Sequence, residues 1–151
     1  MIKGILAKDG FIALTGAGIS EESGVPTFRG EDGIWERYRP ELYANIPGLL
    51  FLLLTKPAKV ADFIIEFYTT IIEARPNLAH FVLARLEKKG ILDTVITQNV
   101  DNLHQEAGSK SVIELHGNVC RFKCTKCEKK EQFNRKQITD ILEALRKAFP
   151  P

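Results

Sequence analysis

Residues 11–30 read Phe11-Ile12-Ala13-Leu14-Thr15-Gly16-Ala17-Gly18-Ile19-Ser20-Glu21-Glu22-Ser23-Gly24-Val25-Pro26-Thr27-Phe28-Arg29-Gly30, and the fold class follows from how this stretch begins. Phe11 to Thr15 is an apolar, partly β-branched run of the kind that forms a buried parallel strand. It breaks at once into Gly16 and Gly18, where the missing Cβ lets the backbone turn tightly and bring its N–H groups up to a pyrophosphate. A helix after the turn would add its positive dipole end. Glu21 stands where the ordinary G-x-G-x-x-G fingerprint has its third glycine, so the two glycines by themselves also fit a plain strand-to-helix turn.

Outward from that stretch, the 151 residues are about one domain's length, and a formal charge of +2 names neither a nucleic acid nor a membrane surface as partner. Met1 to Lys8 has no signal-peptide pattern, so a cytoplasmic location is expected. The greasiest run, Ile46 to Leu54, is too short to cross a bilayer and is expected in a core or a substrate-side lobe. Three cysteines, two of them as Cys124-x-x-Cys127, suit metal or redox use in a reducing compartment better than a disulfide framework.

Ile2 to Lys8 is expected to be a short helix, and residues 31–47, with Trp35 and Tyr38, a long loop with short helical pieces. Pro57 opens a helix in which Val60, Ile64, Phe67, Ile71 and Ala74 form one apolar stripe. Asn77 caps the next helix, whose buried face is expected to carry Leu78, Phe81, Val82 and Leu86, with His80 a structural histidine and Gly90 the stop. Leu92 to Thr97 and Val112 to Leu115 read as further parallel strands, and Asn134 caps a last helix with Ile138, Ile141, Leu142, Leu145 and Phe149 on one side.

Ligands in open α/β folds gather at the carboxyl ends of strands, and polar residues crowd two of those ends here: Thr97-Gln98-Asn99-Val100-Asp101 and Leu115-His116-Gly117. Alone, each is a polar turn with Asn and Asp as caps. Together with Gly16-Ala17-Gly18-Ile19-Ser20 and Ser23-Gly24-Val25-Pro26-Thr27-Phe28-Arg29, they resemble the motifs of the sirtuins, the NAD-dependent protein deacylases. Two positions depart from the family's pattern: Val25 replaces an isoleucine, and Thr27 replaces an aspartate in the loop over the cofactor.

The resemblance implies an incomplete Rossmann-like parallel sheet from residues 1–35 and 76–118, a helical module at about 36–75, and half of a zinc ribbon at about 119–151. It assigns NAD to Gly16, Ala17, Gly18, Ile19, Phe28, Arg29, Gln98, Asn99 and Asp101, and zinc to Cys124 and Cys127. His116 would be the base that helps a ribose hydroxyl attack once nicotinamide has left, with Asn99 assisting that departure. The substrate would be an acetylated protein lysine and the products deacetylated lysine and acetylated ADP-ribose. Family members that remove acidic acyl groups carry Tyr-x-x-Arg near Tyr68, and Ile71 stands where that arginine would fall, which favours a neutral acyl group.

His116 also heads His116-x-x-x-Cys120-x-x-x-Cys124-x-x-Cys127, four possible zinc ligands in twelve residues, but its place between a strand and a glycine is similar to that of the sirtuin catalytic histidine, which implies catalysis. Cys120 is then a buried or free thiol. The family's ribbon needs a second Cys-x-x-Cys, which these residues do not contain, so the chain reads as a truncated portion with an unpaired sheet edge prone to self-association. The reading from another class is a noncatalytic zinc-binding interaction module, with Lys123, Lys126, Lys129 and Lys130 available to a nucleic acid.

Overall fold

The computed structural model describes residues 10–27, 33–124 and 126–150. The expected helix at Ile2 to Lys8 and the cofactor residues Phe28 and Arg29 lie outside them. Three strands, β1 (Phe11–Thr15), β2 (Leu92–Thr97) and β3 (Val112–Glu114), form a parallel sheet in the order β1-β2-β3. Leu14 pairs with Ile96 and Ile96 with Ile113, so all three carboxyl ends lie along one rim. This is the α/β arrangement expected from the apolar runs.

The helices follow their local signals. After two short pieces, α1 (Ile34–Arg37) and α2 (Pro40–Tyr43), come α3 (Ile46–Thr55) and α4 (Pro57–Glu73). Helix α5 (Leu78–Lys88) and the single turn α6 (Leu103–Glu106) flank β2 in sequence, and a two-stranded antiparallel hairpin of β4 (Arg121–Lys123) and β5 (Lys130–Gln132) leads into α7 (Arg135–Ala148). Asn77 and Asn134 each close a capping box, Asn77 with His80 and Asn134 with Gln137. No helix among the described residues is long and apolar enough to cross a membrane.

Two expectations change. The glycine turn runs into two 3-10 turns, Ala17–Ile19 and Glu21–Ser23, rather than a helix long enough to present a dipole. On α5 the apolar residues named for the core are largely in solvent, Leu78 at 75%, while His80 is fully buried. The helix turns its polar cap, rather than its greasiest stripe, into the fold because His80 packs against His104 beneath the sheet rim. Helix α3, expected in a core or a substrate-side lobe, buries Gly48 and Leu52 and exposes Ile46, Leu50, Phe51 and Leu54, which leaves the second of those places.

The stripe on α4 behaves as read: Val60, Ile71 and Ala74 are buried, and Ile71 joins Val119, Cys120, Ile138 and Leu142 in one apolar cluster that seats α7 on α4. Arg135 fastens the same joint. Its guanidinium donates to the carbonyls of Ile72 and Ala74 at the last turn of α4, where the helix dipole is negative, and pairs with Glu106 at 2.5 Å. Among the described residues, apolar side chains on one face of the sheet are exposed. Ile12 and Leu14 on β1 and Ile113 on β3 point outward and are more than half exposed, whereas both faces of a parallel sheet are normally covered.

Candidate functional site

The site is built where the β1 turn meets the loop after β2. Gln98 N–H donates to the Thr15 carbonyl at 3.1 Å, which ties the end of β1 to the start of that loop. Ser20, at the end of the first 3-10 turn, is fully buried and joins the two segments: its hydroxyl donates to Asp101 Oδ2 at 2.6 Å and accepts from Asn99 Nδ2 at 2.9 Å. The other Asp101 oxygen accepts Leu103 N–H at 2.9 Å, and Asn99 N–H donates to Thr97 Oγ1 at 3.0 Å. Asp101 and Asn99 are therefore fixed before any ligand arrives.

These groups line part of a small, mostly apolar cleft. Ser20, Asn99 and Asp101 are polar members of its lining, and Ala17, Val25, Ile34, Phe67 and Ile71 are among the apolar ones. A mostly apolar pocket with a few converging polar groups is the usual form of a small-molecule site. Gly16 and Gly18 stand beside it facing open space, where an added Cβ would meet nothing within 4 Å. Their backbone is bare where a phosphate would approach, so the residues present fit a dinucleotide.

Of the remaining candidates, Ile19 is half-buried and Gln98 is exposed at the rim. His116 follows β3, is exposed, and does not line the cleft; Gly117 after it has φ +80, a conformation that favours glycine. Cys124 and Cys127 are exposed on the turn of the β4–β5 hairpin, and the Cys127 and Lys126 N–H groups, pointing at the Cys124 sulfur, hold its thiol below the usual range. Cys120 is buried in the α4–α7 cluster, where burial raises its thiol. Among the described residues no three His, Cys, Asp or Glu side chains come together to hold a metal, so Cys124 and Cys127 are two ligands short of a tetrahedral zinc site.

The hub residue, Ser20, was quoted in the motif but carried no role in the sequence reading; its signal is only a small polar residue in an otherwise apolar turn. Of the buried pair of His80 and His104, His80 is the structural histidine expected from the sequence, whereas nothing there marked His104. Burial lowers both imidazoles, His104 to about 4, with His80 pushing further down and Asp101 opposing.

A model of the Sir2 family matches residues 16–147. The chain is 54% identical over 138 residues to the NAD-dependent protein deacylase of Pyrococcus furiosus, covering 84% of this chain and 50% of the relative. It is 43% identical over 140 residues to the NAD-dependent protein deacetylase of Thermotoga maritima, covering 93% and 53%. Among solved structures it resembles a Sir2 homolog–NAD complex (TM-score 0.73, 45% identity, 87% of this chain and 50% of that one). It also resembles a Sir2 with a deacetylated p53 peptide and 3′-O-acetyl ADP-ribose (TM-score 0.75, 41% identity, 95% and 56%). The chain spans about half the length of the curated relatives it matches. With the family match running from the glycine turn to the last helix, the chain belongs to the Sir2 family, the sirtuins.

Proposed function

We propose that this chain is the N-terminal portion of an NAD-dependent protein-lysine deacetylase, and the observation that carries the reading is the convergence of Ser20, Asn99 and Asp101 in the lining of one mostly apolar cleft beside two uncovered glycines. Gly16, Ala17, Gly18 and Ile19 are assigned to the pyrophosphate side, Phe28 and Arg29 to the loop over the cofactor, and Gln98 to the ribose. Asp101, already anchored by Ser20 and Leu103 N–H, would accept from the nicotinamide carboxamide. Asn99 would orient the reacting ribose, and His116, free of burial at the end of β3, would take the hydroxyl proton. Bound NAD supplies the ADP-ribose acceptor, with nicotinamide as the leaving group.

Ile71, only 4% exposed and lining the cleft, supports a neutral acyl group such as acetyl, since an apolar side chain rather than a cation occupies that position. The substrate class is an acetylated protein lysine, and ADP-ribosyl transfer is the minor variant of the same cleavage. Three free thiols fit a reducing, cytoplasmic setting. Nicotinamide release by the 151-residue chain, given NAD and an acetyl-lysine peptide, tests the reading. Release that depends on the peptide and disappears in His116→Ala is expected; a folded chain releasing none would show that this portion does not suffice for the reaction.

Cys124 and Cys127 are proposed as half of a zinc site that a second copy of the chain completes, an association that the unpaired edge expected of the incomplete sheet would favour. The expected result is one zinc per two chains, lost in Cys124→Ser; no bound zinc would overturn it. The nucleic-acid reading has less support. Lys123 pairs with Glu128 and Lys129 with Glu131, so two of the four lysines are already engaged.

A further inference from the structure

His116 is exposed just past the end of β3, so no enclosing pocket aims its ring, and where the imidazole can reach is set by the backbone that carries it. That backbone is pinned on both sides. Leu115 N–H donates to the Thr97 carbonyl and Val119 N–H to the Val100 carbonyl, each at 2.9 Å. The residues flanking His116 and Gly117 are thus bonded to the end of β2 and to the loop that holds Asn99 and Asp101.

A side-chain brace closes the turn. Glu114, the last residue of β3, has a side chain only 7% exposed, and its carboxylate accepts from Asn118 Nδ2 at 2.7 Å, from Gln105 Nε2 of α6 at 2.5 Å and from the Arg121 guanidinium. The bond from Asn118 to Glu114 spans His116, which lies two residues from either end of it. Every polar atom of the Asn118 amide is engaged: Nδ2 also donates to Asn102 Oδ1 at 2.8 Å, and Oδ1 accepts Cys120 N–H at 2.8 Å. Asn102 directly follows Asp101 and stands at φ +67, a left-handed conformation that asparagine tolerates better than most residues. One amide therefore joins the turn that carries His116 to the loop that carries Asn99 and Asp101.

We propose that Asn118 is a positioning residue for His116: braced on Glu114 and tied to Asn102, it fixes the spacing between the imidazole and the groups at Asn99 and Asp101. Proton transfer to a base depends steeply on such spacing, because the base must come within hydrogen-bond reach of the hydroxyl it serves. Gly117, at φ +80 and without a Cβ, is the point where the turn would give way once the brace is lost. The inference rests on the NAD reading only for the role of His116; the brace itself is tested without any cofactor.

Amide exchange at Leu115 and Val119 is the first measurement. Asn118→Asp keeps an acceptor for Cys120 N–H but loses both donations and sets two carboxylates against each other. The two amides are then expected to exchange about tenfold faster, while Val95 in β2 and Ile138 in α7 keep their rates. Adding Glu114→Gln reverses the direction of the bond, the new amide donating to the new carboxylate, and is expected to restore most of the protection. The second measurement is turnover of NAD and an acetyl-lysine peptide: kcat is expected to fall about tenfold in Asn118→Asp, with KM for NAD within about twofold, and to recover in the double variant. Unchanged exchange in Asn118→Asp, no recovery in the double variant, or acceleration that spreads to Val95 and Ile138 would overturn the proposal, as would a raised KM at unchanged kcat. An unaltered chain that turns nothing over would instead bear on the NAD reading alone, with the exchange rates still deciding the brace.

Discussion

Replacing Ser20 by alanine is expected to destabilise the fold by about 2 to 3 kcal/mol and to empty the cleft of ordered polar groups. The hydroxyl is fully buried and serves two neighbours at once, donating to Asp101 and accepting from Asn99. Its removal leaves Asp101 Oδ2 without its donor and Asn99 Nδ2 without its acceptor. An orphaned buried carboxylate oxygen costs more than the net value of the bond that was lost. Urea unfolding should show a lower midpoint with an unchanged slope, because the surface exposed on unfolding is the same. A change in midpoint worth less than about 0.5 kcal/mol would mean that Asp101 and Asn99 find other partners and that Ser20 is not the hub. NAD binding should fall along with stability, since Asn99 and Asp101 lose their fixed directions.

Acidification is expected to cost about as much. His104 is lowered to about 4 chiefly by burial, with His80 adding to the shift and Asp101 opposing it, while an unfolded histidine titrates at its ordinary 6.5. Between those values the unfolded chain binds a proton that the folded chain refuses. Stability from this group is therefore fully present above about 6.5 and is lost as pH falls through about 4, about 3 kcal/mol in all. Burial lowers His80 as well, with Asp101 again opposing, so it steepens the same limb. Denaturant midpoints measured across that window should decline with falling pH, and His104→Gln should flatten the decline. A flat profile in the unaltered chain would show that the pair takes up protons in the folded state, in conflict with its burial.

Much of the local structure was legible because its causes are local. The apolar run at Phe11–Thr15, the asparagine caps at 77 and 134, and the stripe on α4 each depend on residues within a turn or two of one another; the caps and the stripe formed as read, and the run formed its parallel strand but is not buried as expected, with Ile12 and Leu14 exposed. The motifs also brought Ala17, Asn99 and Asp101 to one cleft, because strand ends in a parallel sheet share a rim. Helix α5 was read to the right bounds but with the wrong face inward: its period allowed Leu78, Phe81 and Val82 to be the buried stripe, and packing against His104 turned His80 inward instead. Hydrophobicity proposes a face, and the neighbour decides it.

By itself, then, the amino-acid sequence determined the strands, the glycine turn, the caps and the family, all of which depend on short-range pattern and residue identity. Only the tertiary structure decided that Ser20 is the hub of the site, that the His80 and His104 rings pack against one another at a tilt, and that the apolar side chains of α3 and of one sheet face are exposed. The reason is physical. The bonds from Ser20 to Asn99 and Asp101 and from Thr15 to His104 cross 79 to 89 residues of chain, and no local propensity encodes a partner at that separation.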